Sequence, residues 1–407
     1  MDDVTRREFF NTMGLTLTAG GLAGLTQEEA LARPLDQLAD GMPDRILGRT
    51  GLKTKALGFG IIFFRPRFGS FTNKTSDHLL NTSLDLGINF FEMGRNYGDA
   101  EERLGRVIKN RRKDMIISSK SMKRTKEAMA REIDVSLATI GTDYLDFYMC
   151  HDCSSVAEYD VAVGQDGALE AMLEAQKAGK IRYLGYTGHS QMANKSAIRS
   201  GHFDAIISVY NAANRQSEDL IKLAAKNNVA FINMKPFGQG GLIQVDNSLI
   251  RQLDEVLTPE ECLQFCLSNP GVTMVIPGPM KVEYLKENVA VASRFKPLSG
   301  SQLAGLTARA DRLAGGICGA CEKPCEPVCP NNIPVSEILS MLEFSYRLHF
   351  NKRLQSDQYS LLPRTILDCD RCGECKNACI EKFDTIEMME RTHKVLNEAR
   401  ARRMHLV

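Results

Sequence analysis

The chain has no tryptophan, few aromatic residues (7%) and a formal net charge of only +1 over 407 residues. Near-neutrality removes any bulk electrostatic pull toward nucleic acid or an anionic membrane, so no nucleic-acid partner is expected. After the N-terminus there is no uninterrupted apolar run of the ~20 residues that a membrane-crossing helix needs, so an integral membrane protein is not expected. Charged residues make up 25% and hydrophobic residues 43%, both ordinary for a globular chain. Cysteine, by contrast, is abundant. Of the 12, four lie at 150, 153, 262 and 266, and the other eight crowd between 318 and 379. A length of 407 residues is long for one domain and suggests a barrel of ~250–300 residues plus a second unit.

The first residues stand apart. Thr5-Arg6-Arg7-Glu8-Phe9-Phe10 resembles the twin-arginine export motif. A weakly apolar stretch from Met13 to Leu25 follows, and Ala30-Leu31-Ala32 fits a small-x-small cleavage site. The resemblance implies transport by the twin-arginine machinery of an already folded protein, and hence a periplasmic or otherwise extracytoplasmic location. The alternative is a basic N-terminal helix on a cytoplasmic protein. Residues 1–32 are therefore kept out of the fold argument.

The rest of the chain is organised around Gly87 to Gly105. Ile88, Phe90 and Phe91 form a bulky apolar run bounded by glycines, as a buried strand does. Glu92 ends that strand, Tyr97 follows five residues later, and a helix opens with Asp99, Glu101 and Glu102, acidic residues that suit the positive end of a helix dipole. Strand and helix patterns alternate on both sides. Strands are expected at Lys55–Ile62, Ile116–Lys120, Tyr144–Met149, Ile181–Tyr186, Asp204–Val209, Val229–Met234 and Val272–Ile276. Helices are expected at Ser76–Leu86, Glu101–Lys109, Lys126–Ile140, Gly167–Ala178, Met192–Ser200, Ser217–Lys226, Pro259–Leu267 and Val282–Ala292. Eight strand–helix units predict an α/β fold, a (β/α)8 TIM barrel over 44–298. Glu92, Lys120 and His151 each fall at the C-terminal end of a strand, the face where such barrels carry chemistry.

The stretch from Glu92 through Tyr97-Gly98-x-x-Glu101-x-x-Leu104-Gly105 resembles the signature of the aldo-keto reductase family. That family moves hydride between NAD(P)H and a carbonyl or alcohol. The resemblance implies a catalytic tetrad of Tyr97, Lys120, His151 and Glu92, with Glu standing where the family has Asp. Its physical logic is plain. A phenol with a pKa near 10 is a poor acid at neutral pH, and an adjacent ammonium favours the phenolate. The carboxylate would hold Lys120 charged, Tyr97 would act as general acid on the carbonyl, and His151 would orient the carbonyl oxygen. A purely structural Glu92–Lys120 pair is the alternative. The segment Asp44 to Lys53 looks like the hairpin that plugs the bottom of these barrels.

By the same resemblance Tyr210 would stack on nicotinamide, Lys235-Pro236-Phe237-Gly238 would cover the pyrophosphate, and Pro277, Gly278, Lys281, Glu287 and Asn288 would meet the adenosine end. This chain departs from the family's carboxamide-holding residues, with Thr187-Gly188-His189 and Ile207 at those positions, and the positions that commonly hold a 2′-phosphate do not support a preference for NADP. Arg65, Arg67 and Arg95 suggest an anionic substrate by loop position alone.

Cys262 and Cys266 sit four apart beside Leu263 and Phe265, as apolar helix packing does. Cys150 and Cys153 flank His151, a spacing open to a metal site. Cys369, Cys372, Cys375 and Cys379 have the Cys-x2-Cys-x2-Cys-x3-Cys spacing of a ferredoxin cluster. Cys318, Cys321, Cys325 and Cys329 repeat it with one extra residue before Cys325, and Pro330 follows. In two-cluster ferredoxins the fourth cysteine crosses over, which would pair Cys318, Cys321 and Cys325 with Cys379, and Cys369, Cys372 and Cys375 with Cys329. The insert contains Val335–Phe350, apolar at helical spacing. The region 299–407 thus resembles a small, mostly α-helical ferredoxin domain with two 4Fe–4S clusters, which implies an electron-transfer protein partner. Structural zinc and disulfides are the competing readings. A non-catalytic barrel serving as scaffold for an electron-transfer subunit is the competing function.

Overall fold

The computed structural model describes residues 41–64, 71–153, 155–238, 242–243, 256–314, 324–346, 359–360, 362–379 and 382–404. The export motif, Arg65, Arg67, Cys318 and Cys321 lie outside these residues. A short antiparallel hairpin, β1 (Asp44–Ile46) and β2 (Lys53–Lys55), precedes an eight-stranded parallel sheet. The sheet runs β3 (Phe59–Gly60), β4 (Phe90–Glu92), β5 (Ile116–Ser121), β6 (Leu145–Cys150), β7 (Ile181–Thr187), β8 (Ala205–Val209), β9 (Ala230–Met234) and β10 (Met274–Ile276), each beside its sequence neighbour. It closes on itself. Leu57 bridges Val275 in parallel, Gly58 N donates to Val275 O (2.9 Å), and Gly60 N donates to Pro277 O (3.1 Å). The result is the (β/α)8 barrel that the alternation predicts.

Two apolar layers follow from the period of two along each strand. Phe90, Ile116, Phe147, Met149, Ala205, Ile207, Ala230, Ile232, Met274 and Ile276 fill the lumen. The intervening positions, such as Phe91, Ile117, Tyr148, Ile206 and Phe231, face the helices. Leu47, from the turn of the leading hairpin, is fully buried and belongs to the lumen cluster, so the hairpin plugs one end. Tyr183 Oη fastens it by donating to Thr50 O (3.1 Å).

The surrounding helices are α1 (Asn73–Asp85), α2 (Ala100–Ile108), α3 (Lys126–Ile140), α4 (Val156–Val163), α5 (Ala168–Lys177), α6 (Gln191–Arg199), α7 (Glu218–Lys226), α8 (Pro259–Ser268) and α9 (Val282–Ser293). Their starts have local causes. Thr72 and Ser190 accept from Thr75 N and Ala193 N, and Thr258 with Glu261 forms a full capping box ahead of Pro259. Two expectations need correction. The strand expected over Lys55–Ile62 shrinks to Phe59–Gly60, because the chain turns into a 3-10 helix at Ile61–Phe64. The helix α4 is additional, capped by Ser155 accepting from Glu158 N.

Beyond the barrel come α10 (Gly300–Ala314), α11 (Val335–Tyr346), α12 (Glu374–Ala378) and α13 (Thr385–Met404). The first is tied to the barrel, where Arg309 pairs with Glu261 and Arg215 with Asp311 (2.8 Å). Ile333, Val335, Ile338, Leu339, Met389 and Leu396 form a separate small core around Cys325 and Cys375. Among the described residues no helix is long and apolar enough to cross a membrane.

Candidate active site

Counting by twos from the lumen-filling residues explains which side chains reach the mouth. Phe90 leads to Glu92, Ile116 leads to Ser118 and Lys120, and Phe147 leads through Met149 to His151. All three polar ends therefore point inward, at the C-terminal face. Tyr97 joins them from the loop between β4 and α2, which is pinned by Arg95 N donating to Lys120 O and Tyr97 N donating to Gly94 O.

The four side chains are nearly excluded from water, with exposures of 5% for Glu92, 7% for Tyr97, 2% for Lys120 and 9% for His151. The Glu92 carboxylate contacts the Lys120 ammonium directly, and Lys120 Nζ also donates to Met93 O (2.6 Å). That ammonium lies 4.3 Å from the centroid of the Tyr97 ring. The His151 ring stands edge-on to Tyr97, with centroids 5.6 Å apart and an angle of 81°. A buried cation paired on one side and set against a phenol on the other is an arrangement that favours negative charge on the phenol. A Cβ on Gly60 would make only an ordinary contact with Glu92 Oε2 (3.8 Å), whereas one on Gly94 would press on Lys120 Cγ at 2.9 Å.

Other expected residues fall differently. Tyr210 follows Ile206 and Ser208 on the outward parity of β8. Its ring stacks on Phe265 at 5.1 Å, its hydroxyl accepts from Asn269 Nδ2 (3.4 Å), and it is 4% exposed. It belongs to the layer under α8 and does not line the mouth, which corrects its assignment to nicotinamide. The lumen-facing residue at the end of the next strand is Met234, two beyond Ile232 and partly exposed. The sequence carries that signal in the alternation Ala230, Ile232, Met234. Arg95 is also accounted for. It pairs with Glu101 and, at 3.3 Å, with Glu132, so it does not offer its charge to a substrate.

Lys235 and Asp152, at the ends of β9 and β6, are both held in left-handed backbone, with φ of 60° and 50°. Burial lowers the Lys235 ammonium to about 8, with Asp152 opposing. Lys235 in turn, with lost hydration second, holds His189 down at about 3. His189 is nonetheless exposed by area. Asn194, fully buried, donates to Gly188 O (3.1 Å) and so steadies the segment carrying His189. Asp152 and His189 are site-face residues that sequence reasoning left unassigned.

For a nicotinamide dinucleotide the residues present fit. Pro277 is stitched to Gly60, and Gly278 lies against Phe63, where a Cβ would stand 2.2 Å from the ring. The helix α9 then opens at Lys281 with no side-chain cap, leaving its first amides available to an anionic group. Lys281 is exposed and lies 5.9 Å from the Tyr284 ring centroid, Glu287 is half-buried, and Asn288 is 3% exposed. Of the pyrophosphate loop, Pro236 is buried, Phe237 packs on the outer core, and Gly238 takes a φ of 56°.

For iron–sulfur clusters the donor chemistry fits. Backbone amides donate to sulfur, Ile333 N to Cys329 Sγ (3.4 Å) and Arg371 N to Cys369 Sγ (3.3 Å), and Cys375 Sγ lies 3.0 Å from Thr385 Oγ1. Such bonds suit anionic sulfur. The expected grouping is not assembled, however. Among the described residues no three His, Cys, Asp or Glu side chains stand together as a metal-holding group. Cys372 is exposed, Cys329 and Cys369 are half-buried, and Cys325, Cys375 and Cys379 are buried. Cys150, Cys153, Cys262 and Cys266 are buried. Burial pushes the Cys150 and Cys266 thiols up to about 12, as expected of inert packing residues and not of ligands.

Comparison with known proteins agrees with this geometry. Residues 56–255 match the model of the aldo/keto reductase family. The chain is 26% identical over 291 residues to the uncharacterized oxidoreductase YqkF of Bacillus subtilis (strain 168), covering 62% of this chain and 92% of that one. It is 26% identical over 293 residues to L-galactose dehydrogenase of Arabidopsis thaliana, covering 63% and 90%. Among solved structures, the holo form of aldo-keto reductase AKR11C1 from Bacillus halodurans superimposes with a TM-score of 0.56 at 23% identity, covering 67% of this chain and 96% of that one. With residues 56–255 matching that family, the chain is an aldo/keto reductase-like oxidoreductase.

Proposed function

We propose that the barrel transfers hydride between NAD(P)H and a small carbonyl or alcohol, with Tyr97 as the proton donor. The observation that carries this reading is the convergence of Glu92, Lys120, Tyr97 and His151 at one end of the lumen, three of them by strand parity and one by a pinned loop. The nicotinamide supplies the hydride. Tyr97 gives its proton to the oxygen that gains charge, Lys120 stabilises the phenolate left behind, and Glu92 keeps Lys120 protonated. His151 orients the oxygen toward Tyr97. Pro277, Gly278 and the start of α9 would hold the dinucleotide phosphates.

The C-terminal region is read as carrying two 4Fe–4S clusters on its eight cysteines, which would exchange electrons with a protein partner when bound. The N-terminal motif is read as an address for folded export. Free nicotinamide is scarce outside the cytoplasm, so the dinucleotide would travel out tightly bound, or electrons would arrive through the C-terminal region.

Tyr97→Phe tests the reading. It keeps the ring against Lys120 and removes the transferable proton, so turnover of a probe aldehyde should fall by at least a hundredfold with the melting temperature unchanged. Anaerobic purification followed by iron, sulfide and nucleotide analysis tests the rest, and zinc without iron or sulfide would remove the clusters. The outward turn of Tyr210 and the apolar Ile207 favour a second reading, a barrel kept as scaffold for electron transfer. Under it Tyr97→Phe changes nothing.

A further inference from the structure

Between β5 and α3 lies Arg124, a residue that no part of the proposed chemistry uses. Its guanidinium makes three hydrogen bonds to backbone carbonyls. Nη1 donates to Met122 O (2.8 Å), and Nη2 donates to both His151 O (2.9 Å) and Asp152 O (3.0 Å). The side chain is 15% exposed, and its nearest carboxylate, Glu158, stands at 4.0 Å. This cation therefore serves peptide oxygens in place of a close ion pair.

The anchor of Arg124 is firm. Its own carbonyl accepts from Ala168 N (2.7 Å), Lys126 N donates to Asp166 O (2.7 Å), and Thr125 bridges Gly167. From that base the guanidinium reaches the end of β6, where His151 N donates to Ser121 O (2.9 Å). The peptide groups on both sides of the His151 α-carbon are thus bound to the segment that follows Lys120. The next residue, Asp152, has a φ of 50°, a left-handed conformation that is unfavourable for an L side chain. Two successive carbonyl oxygens converge on one Nη2 there. Nη2 binds both at once while the other prong of the planar fork, Nη1, is held by Met122 O, and this offsets the strain and fixes where the chain leaves the strand.

We propose that Arg124 is the positioning residue for His151, setting the edge-on approach of the imidazole to Tyr97 by clamping the carbonyls of residues 151 and 152. The inference rests on the assignment of Tyr97 and His151 to the reaction. It goes beyond that assignment by placing the control of histidine geometry on a different strand's loop. Lysine cannot substitute, because one ammonium on a flexible stem does not reproduce three bonds from a rigid fork.

The test compares wild type, Arg124→Gln, Arg124→Lys and Tyr97→Phe, assayed with 4-nitrobenzaldehyde and NADPH. In parallel the His151 imidazole is followed by NMR, assigned by His151→Gln. Arg124→Gln and Arg124→Lys should each lose tenfold or more in kcat, with KM and nucleotide affinity within about twofold and the same circular dichroism as wild type. The His151 ring resonances should broaden or double in both. A single unshifted His151 resonance in Arg124→Gln overturns the proposal, whatever the turnover. So does a kcat within twofold of wild type while Tyr97→Phe is inactive. If Tyr97→Phe keeps full activity, the reading of the site fails first, and the NMR arm alone then decides whether Arg124 holds the imidazole.

Discussion

At the scale of single residues, the site depends on a buried ion pair whose two halves are unequal in consequence. Removing the Glu92 charge strands the Lys120 ammonium in a nearly dry place. Glu92→Gln should therefore cost about 3–5 kcal/mol of stability, read by denaturant titration, as breaking a buried pair from one side does. A loss under about 1 kcal/mol would mean that water reaches the pair. The Lys235–His189 pair makes a different prediction. Lys235 is the leading cause of the low pKa of His189. Lys235→Met should let that imidazole rise from about 3 toward the ordinary range, visible as a histidine titration near neutrality in NMR. The sign also runs through stability. Lys235 is held near 8 in the fold, below the ordinary 10.5 of a lysine. Its unfavourable contribution is fully present below pH 8 and fades as pH rises toward 10.5. The variant should thus melt higher than wild type at pH 7, with the gap closing above pH 8. At this scale the sequence was legible where a residue's strand parity could be counted, as for Glu92, Lys120 and His151. Tyr210 was misread because an aromatic beside a strand end was weighed by type and not by parity.

Elements divide the barrel into an end that works and an end that seals. The loop after β4 has glycine at 94 because a Cβ there would stand 2.9 Å from Lys120 Cγ. Gly94→Ala should displace the lysine and lower turnover tenfold or more in a protein that still folds. Wild-type turnover in that variant would show that the lysine has slack. The hairpin at the other end carries Leu47, fully buried in the lumen cluster. Leu47→Ala should cost about 2–5 kcal/mol in a denaturant melt yet leave kcat unchanged, since the plug is a barrel's length from the chemistry. Most helices were legible from their period, with Lys126–Ile140 recovered to the residue. The extra α4 was not, because Val156, Val161 and Val163 are β-branched and mask the Ser155 cap. The first barrel strand was overdrawn, because the apolar run Ile61 to Phe64 continues in composition after the backbone has turned.

At the scale of the whole molecule, apolar packing among the described residues falls into two regions, one in and around the barrel and one around Cys325 and Cys375. Two regions predict two responses to metal. Reconstitution with iron and sulfide should raise the melting of the C-terminal region and leave the barrel transition in place, as differential scanning calorimetry would record. A single transition that moves as one would mean that α10, with its Arg309–Glu261 and Arg215–Asp311 ties, couples the two. The cysteine spacing suggests ligand chemistry, but among the described residues no three such side chains stand together, because spacing fixes which thiols can share a site and not where the intervening chain carries them. The sealed lumen has one more consequence. With Leu47 beneath and Met149 folded over Gly185 midway, the chamber is blind at its base. Whatever enters must back out through the same doorway, and under the proposed reaction each proton taken from Tyr97 would be replenished from the solvent side, so anything that lingers on that threshold would delay the next cycle as well as the present one.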